Sequence, residues 1–264
     1  MQKITEYLKT GYVKQKESFI DDYNKQKEEL FNSAKGDGNC PICKGKGFVM
    51  KIENGYEYLG YCDCKIKEIN NGRIAKSGLS DIINKYTFEN FETKEEWQKR
   101  FKASAIRFSQ NPSGWFYAGG QSGCGKTHIC TAITKSLMDK GFESRYMIWP
   151  SEIIKLKANK NSDEEYQRLI SPWQLCRVLY IDDFFKQPSG SNSTPTQSDI
   201  MTAFEILNYR YNNRNKLITI ISSEHSIDDL IYYDEALGSR IFEMSRGSIN
   251  IIKNESKRNF RLSS

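Results

Sequence analysis

The chain has 264 residues, 38% of them hydrophobic and 27% charged, which supplies enough apolar mass for a core and excludes a disordered chain. No apolar run approaches the roughly 18 residues a membrane span needs, and the first six residues turn polar at once, so the expectation is a cytoplasmic protein without membrane contact. Lys plus Arg at 39 against Asp plus Glu at 33 gives +6, a bias that permits a nucleic-acid partner without requiring one.

Residues 3–31 contain no proline and a single glycine, Gly11, and their apolar residues recur at helical spacing (Ile4, Leu8, Tyr12, then Phe19, Ile20, Tyr23, Leu30). Six lysines balance six acids here, so the expected amphipathic helices suit protein docking or simple packing better than a grip on DNA.

Seven cysteines without a secretion signal argue against a disulfide scaffold. Four of them cluster: Cys40 and Cys43, then eighteen residues, then Cys62 and Cys64. Two close pairs of soft ligands can place four thiolates around Zn²⁺, and four protein ligands leave no open position, so the site reads as structural. The intervening FVMKI and YEYLGY segments, joined at Asn54-Gly55, predict a two-stranded hairpin of the zinc-ribbon kind. Metal would add the stability that a core of about forty residues lacks.

The next signal is GQSGCGKT over residues 120–127, a match to GxxxxGK[ST]. An apolar strand pattern precedes it and a helical one follows. That context makes Gly120, Gln121, Ser122, Gly123, Cys124, Gly125, Lys126 and Thr127, with His128 beside them, the candidate nucleotide-binding set. Backbone N–H groups would face the phosphates, Lys126 would reach the terminal ones, and the Thr127 hydroxyl would hold Mg²⁺. Cys124 occupies a variable slot.

About fifty residues later, RVLYIDD predicts a central strand ending in two carboxylates. Asp182 is the second magnesium ligand, and Asp183 the group that orients or deprotonates the attacking water. Between these motifs, Lys155, Lys157 and Lys160 read either as a patch that tracks DNA phosphates or as the wet face of a surface helix. A polar loop over 186–195 is expected to be mobile and to order in an assembly. A further strand, KLITIISS, ends in polar residues, so Ser222, Ser223 or Glu224 is expected at the nucleotide, with Ser223 taken as the contact. Arg240, expected after a small-residue turn at the start of a helix, is a candidate for stabilising transition-state charge in a neighbouring subunit, and Arg258 is a second candidate.

In this order the chain resembles the AAA+ helicase loaders of the DnaC/DnaI type and their IstB-type transposition relatives. The resemblance covers about residues 80–260. It rests on Tyr86-Thr87-Phe88-Glu89-Asn90-Phe91, the phosphate loop, Ile181-Asp182-Asp183, residues 208–214 (NYRYNNR), Ile220-Ile221-Ser222-Ser223, Gly238-Ser239-Arg240-Ile241 and Glu255-Ser256-Lys257-Arg258. It implies an α/β fold: a P-loop AAA+ domain with a central parallel sheet over 80–264, after a small helical and zinc-ribbon-like domain over 1–75. It further implies ATP and Mg²⁺ as cofactors, Lys126, Asp183 and Arg240 as the catalytic set, and Arg258 as a second nucleotide sensor. The implied partners are a replicative hexameric helicase docked by the N-terminal domain, single-stranded DNA and further copies of the chain. Glu224 stands where the family usually carries Asn. An ionised carboxylate cannot donate to phosphate, so the resemblance implies impaired γ-phosphate sensing and slow hydrolysis.

Three rival readings share parts of this pattern. A transposition-helper ATPase that chooses target DNA keeps the AAA+ core and needs no helicase. A zinc adaptor uses ATP as a structural ligand. A small-molecule P-loop kinase suits Gly-Lys-Thr but neither the paired aspartates nor the cysteine module.

Overall fold

The computed structural model describes residues 29, 36–53, 55–77, 80–187, 194–253, 255 and 258. Apart from residue 29, the helices expected within 3–31 lie outside the described residues, as does the middle of the 186–195 loop. The chain divides into two compact units, Met1–Ile66 and Lys67–Ser264. Among the described residues no helix is long and apolar enough to cross a membrane.

In the first unit, strands β1 (Phe48–Glu53) and β2 (Tyr56–Tyr61) pair antiparallel, from Phe48 opposite Tyr61 to Glu53 opposite Tyr56. Only two residues connect them, as the Asn-Gly pair predicts, and Gly55 takes φ 80°. Phe48 and Tyr61 stack at 5.3 Å on one face of the hairpin. Helix α1 (Asp63–Ser77) starts directly after β2, so the second cysteine pair falls at a strand-to-helix junction.

The second unit is built on a five-stranded parallel sheet. Its strands are β3 (Trp115–Gly120), β4 (Ser144–Ile148), β5 (Val178–Phe184), β6 (Ile218–Ser223) and β7 (Ile249–Ile252), in the order β4-β5-β6-β3-β7. Strand alternation sends side chains to two cores. Phe116, Ala118, Tyr180 and Ile220 pack with α3 (Glu96–Gln110) and α4 (Lys126–Asp139). Trp115, Tyr117, Leu179, Ile181 and Ile221 pack on the opposite face with residues of α5 (Trp149–Ala158), α6 (Asp163–Leu175), α7 (Gln197–Asn212), α8 (Ile227–Tyr233) and α9 (Glu235–Met244). Burial on both faces explains why these strands read as near-continuous apolar runs. A short helix, α2 (Ser80–Lys85), completes the described elements.

Two details of this unit set later geometry. The α1 residue Asn70 is 1% exposed; its amide donates to Phe142 O at 2.8 Å and accepts from Ser144 N at 3.0 Å beside β4. The residue Arg210 of α7 is fully buried and, among the described residues, has no carboxylate partner. Its guanidinium instead donates to Thr219 Oγ1 (2.9 Å) and to the carbonyls of Trp173, Gln174, Cys176 and Ile218 at 2.6 to 3.2 Å. A cation thus satisfies the last carbonyls of α6 and the entry of β6 together. Replacing it with Met would strand several buried acceptors. We expect Arg210→Met to cost about 3–5 kcal/mol, seen as a melting temperature lower by roughly 6–15 °C. A loss below about 1 kcal/mol would overturn this assignment.

The structure moves one expected boundary. Gly238 and Ser239 lie inside α9, not in a turn before it, and Arg240 is mid-helix. The helix starts earlier because the Asp234 side chain accepts from Leu237 N at 2.7 Å. Gly238 is there for close approach: a Cβ would meet Ile231 N of α8 at 2.5 Å.

Candidate nucleotide site and cysteine centre

The phosphate loop runs from the tip of β3 into α4. At Gly120 the backbone takes φ +110°, and a Cβ would lie 2.0 Å from Ile252 O on the neighbouring strand, so only glycine fits the turn. Lys126 is 6% exposed and donates to the carbonyls of Gly120 and Gln121, both at 2.7 Å. Thr127 follows on α4 and donates to Asp182 Oδ1 at 3.1 Å, across the one strand that separates β3 from β5. The two expected magnesium ligands are therefore side by side.

Asp182 is held more firmly than its place at a strand end suggests. Tyr180 donates to Oδ1 at 2.8 Å, Ser222 Oγ donates to the same oxygen, and Tyr146 donates to Oδ2. Hydroxyls from three strands and from α4 converge on one carboxylate that is itself 6% exposed. Burial and the Asp182 charge push the phenols of Tyr180 and Tyr146 up, so both remain donors.

Next to it the strand bulges. β5 pairs Ile181 with Ile221 and then Phe184 with Ser223, one extra residue that falls at the two aspartates. Asp183 adopts φ +52° and Phe185 φ +63°. The strained turn is pinned by aromatic packing: Phe184 and Phe185 stack at 4.1 Å, and Trp149 meets them edge-on at 5.0 and 5.4 Å. The bulge turns Asp183 out of the sheet pattern and into a cavity of about 640 Å³. Burial, with the neighbouring Asp182 charge second, raises its carboxyl above the ordinary range. Lys186 sits 3.2 Å from Asp183 Oδ2 and 3.3 Å from Glu224 Oε1.

That cavity is lined by Ser122, Gly123, Gly125, Lys126, Thr127 and His128 on one side, and by Asp183, Lys186 and Glu224 at one end. Tyr86, Asn90, Phe91, Glu92, Lys94, Glu95 and Gln98 complete it. The Tyr86–Phe91 motif thus has a physical role: it packs an apolar wall against α4. Tyr86 stacks on His128 at 4.7 Å, Phe91 meets the same ring edge-on at 5.2 Å, and His128 Nε2 donates to Thr87 O at 2.8 Å. Burial lowers the His128 pKa, and the bond to the Thr87 carbonyl opposes that shift in part. A loop cradle, a paired Thr and Asp, and a flat apolar wall fit a nucleoside triphosphate with magnesium.

Other expected contacts lie elsewhere. Cys124 is fully buried beneath the loop and is absent from the cavity lining. Gln121 uses its side-chain oxygen to accept from Glu255 N at 2.8 Å, tying the C-terminal segment to the loop. Ser223 is fully buried and donates to Phe184 O at 2.7 Å, inside the fold. Its neighbour Ser222 is the serine that reaches Asp182. Arg258 lies over Trp97 at 5.4 Å and pairs with Glu255 at 2.7 Å. Arg240 stacks over Phe204 and Tyr211 at 5.1 and 5.4 Å and does not line the cavity of its own chain. Lys155 pairs with Glu152 at 2.6 Å, and Lys157 pairs with the buried Asp199 at 2.5 Å. Both lysines of α5 are thus engaged within the fold. Sequence reasoning passed over Lys186, Tyr146 and Tyr180; of the tyrosines, only Tyr180, a hydroxyl within the apolar start of β5, gave a signal.

In the first unit, the Sγ atoms of Cys40, Cys43, Cys62 and Cys64 all lie within 4.8 Å of one another. Cys40 is 3.8 Å from Cys62, and Cys43 is 3.4 Å from Cys64. A tetrahedron with Zn–S of about 2.3 Å has edges of about 3.8 Å, so the four sulfurs fit one Zn²⁺. Gly47 N also donates to Cys43 Sγ at 3.3 Å. Backbone N–H groups of Cys43 and Ile42 bring Cys40 down to about 7, while burial and the adjacent sulfurs push Cys64 up to about 12. A dication would displace the remaining thiol protons and neutralise the four thiolates.

A family model described as IstB-like ATP binding protein matches residues 69–262. The phage-like element PBSX protein XkdC of Bacillus subtilis (strain 168) is 28% identical over 224 residues, covering 81% of this chain and 82% of that protein. The uncharacterized protein YqaM of the same organism is 33% identical over 211 residues, covering 75% of this chain; the chain spans 64% of its length. Among solved structures, the crystal structure of the DnaC helicase loader superposes with a TM-score of 0.54 at 22% identity, covering 67% of this chain and all of that one. At that identity the likeness is one of fold.

Proposed function

We propose, from the premise that this chain belongs to the IstB-like ATP-binding protein family, that its second unit is a magnesium-dependent ATPase serving as helper to a DNA-processing assembly of the transposition kind. The observation that carries the ATPase part is the convergence of Lys126, Thr127 and the bulged Asp183 on one cavity, with Asp182 hydrogen-bonded behind Thr127. Lys126 would bind the terminal phosphates, Thr127 and Asp182 would hold Mg²⁺, and Asp183 would take a proton from the attacking water. The metal supplies charge neutralisation for the phosphates. Arg240, outside its own cavity, is assigned to the site of a neighbouring copy, and Arg258 to the edge of its own. Zn²⁺ in the cysteine cluster is assigned a structural part.

A second reading, a helicase loader acting with single-stranded DNA, draws support from one feature: the cysteine centre at 40–64 precedes the family-matched region at 69–262. An added module in that place suits a dedicated docking partner. The two readings separate by pull-down from a cognate host with ATP, ADP or no nucleotide. The helper reading expects ATP-dependent capture of DNA and no hexameric helicase. Nucleotide-dependent recovery of a stoichiometric helicase would transfer the assignment to the loader.

A further inference from the structure

Glu224 directly follows the tip of β6 and lines the cavity, and a carboxylate there accepts hydrogen bonds and has none to donate to phosphate. The structure places a different donor at the same end of the cavity. Phe185 in its left-handed conformation reverses the chain, and Lys186 N donates back to Asp183 O at 2.9 Å, closing a turn. This turn brings the Lys186 ammonium between two carboxylates, 3.2 Å from Asp183 and 3.3 Å from Glu224. All three side chains line the cavity together with Lys126 and Thr127.

We propose that Lys186 is the γ-phosphate-reading group of this chain, held in position by Glu224, and that it supplies the positive charge the strand tip itself cannot. The proposal rests on the reading that the cavity takes ATP. Its physical basis is charge balance. Without Lys186, the carboxylates of Asp183 and Glu224 would face an incoming terminal phosphate with Lys126 and Lys94 as the other lysines lining the cavity, and Lys94 is paired with Glu92. With Lys186, each carboxylate has a partner, and the ammonium retains a third donor for phosphate oxygen. ADP lacks the phosphate that reaches this end. Lys186 therefore discriminates the two nucleotides, whereas Lys126 serves both. Glu224 becomes the positioning residue for that ammonium, which gives a carboxylate at this place a purpose.

The test is binding of the β,γ-methylene analogue of ATP and of ADP, each with Mg²⁺, to the full chain. We expect Lys186→Ala and Lys186→Gln to weaken the triphosphate by about tenfold or more, the scale of a charge-assisted hydrogen bond, with ADP affinity within about twofold of the parent. Lys186→Arg should retain most of the preference. Adding Glu224→Asn to Lys186→Ala should restore part of it, since a neutral amide donates and no longer repels. An unchanged triphosphate-to-ADP ratio in the two neutral variants overturns the assignment, as does an equal loss for both nucleotides. If the parent chain binds neither nucleotide, the ATP-site reading itself fails, an outcome distinct from a parent that binds both and variants that do not discriminate.

Discussion

Asp183→Asn is expected to lower ATP turnover by about 100-fold or more while leaving affinity for Mg²⁺-ATP within a few-fold. The asymmetry follows from the bulge in β5. Asp182 faces Thr127 and the hydroxyls of Tyr146, Tyr180 and Ser222, and is the carboxylate we propose for the metal. Asp183, one residue on, is turned into the cavity, where burial and its neighbour favour a carboxylate ready to accept a proton. An amide keeps the shape and can still accept a hydrogen bond from Lys186, giving up the ion pair, but cannot take that proton. Single-turnover hydrolysis together with equilibrium binding makes the distinction. Parental turnover in the variant would show that another group activates water. Loss of binding in step with turnover would show instead that Asp183 holds the metal.

The second large effect concerns the cysteines. We expect the purified chain to hold one zinc, and Cys62→Ser to abolish it along with the folded state of the hairpin. Cys43 and Cys62 are 2% and 1% exposed, yet the surrounding hairpin leaves Met50 and Ile52 at 42% and 71%. So little enclosed apolar surface cannot sustain a fold by itself, whereas a structural zinc contributes an apparent 10–16 kcal/mol or so. Elemental analysis counts the metal, and limited proteolysis with and without a strong chelator reads the hairpin. A chain free of zinc whose cleavage between 40 and 64 ignores the chelator would remove the metal from the account.

What the sequence disclosed, and what it withheld, follows from how local each requirement is. The phosphate loop is legible because its backbone path demands glycines at fixed offsets, and the zinc-type hairpin because Asn-Gly and paired cysteines are short-range signals. The central strands β3, β5 and β6 are legible because, buried on both faces, they carry long apolar runs, whereas the edge strands β4 (SRYMI) and β7 (INII), less buried and β4 mixed in polarity, were not read. Which serine of β6 meets Asp182 was not, since it depends on the extra residue in β5, a property of the pairing and not of either strand alone. Gly238 and Ser239 look like a turn, yet both lie within α9, where Gly238 allows close contact with α8. Lys186 is one lysine in a polar loop until Phe185 turns the chain. Arg210, within the family-like NYRYNNR run, turns out to be a buried pin holding two elements and not a ligand group.

Asn70 has one more consequence. The strand β4 ends the sheet, and an outermost strand offers its free amides and carbonyls to any extended peptide that drifts past. By answering Phe142 O and Ser144 N with the two halves of one carboxamide, Asn70 impersonates the next strand at the point where such a ladder would begin. Arg73, one helical turn on, locks to Glu143 at 2.7 Å in the same stretch. Indiscriminate pairing of edge strands leads to aggregates, and here a single asparagine occupies the point where it would start.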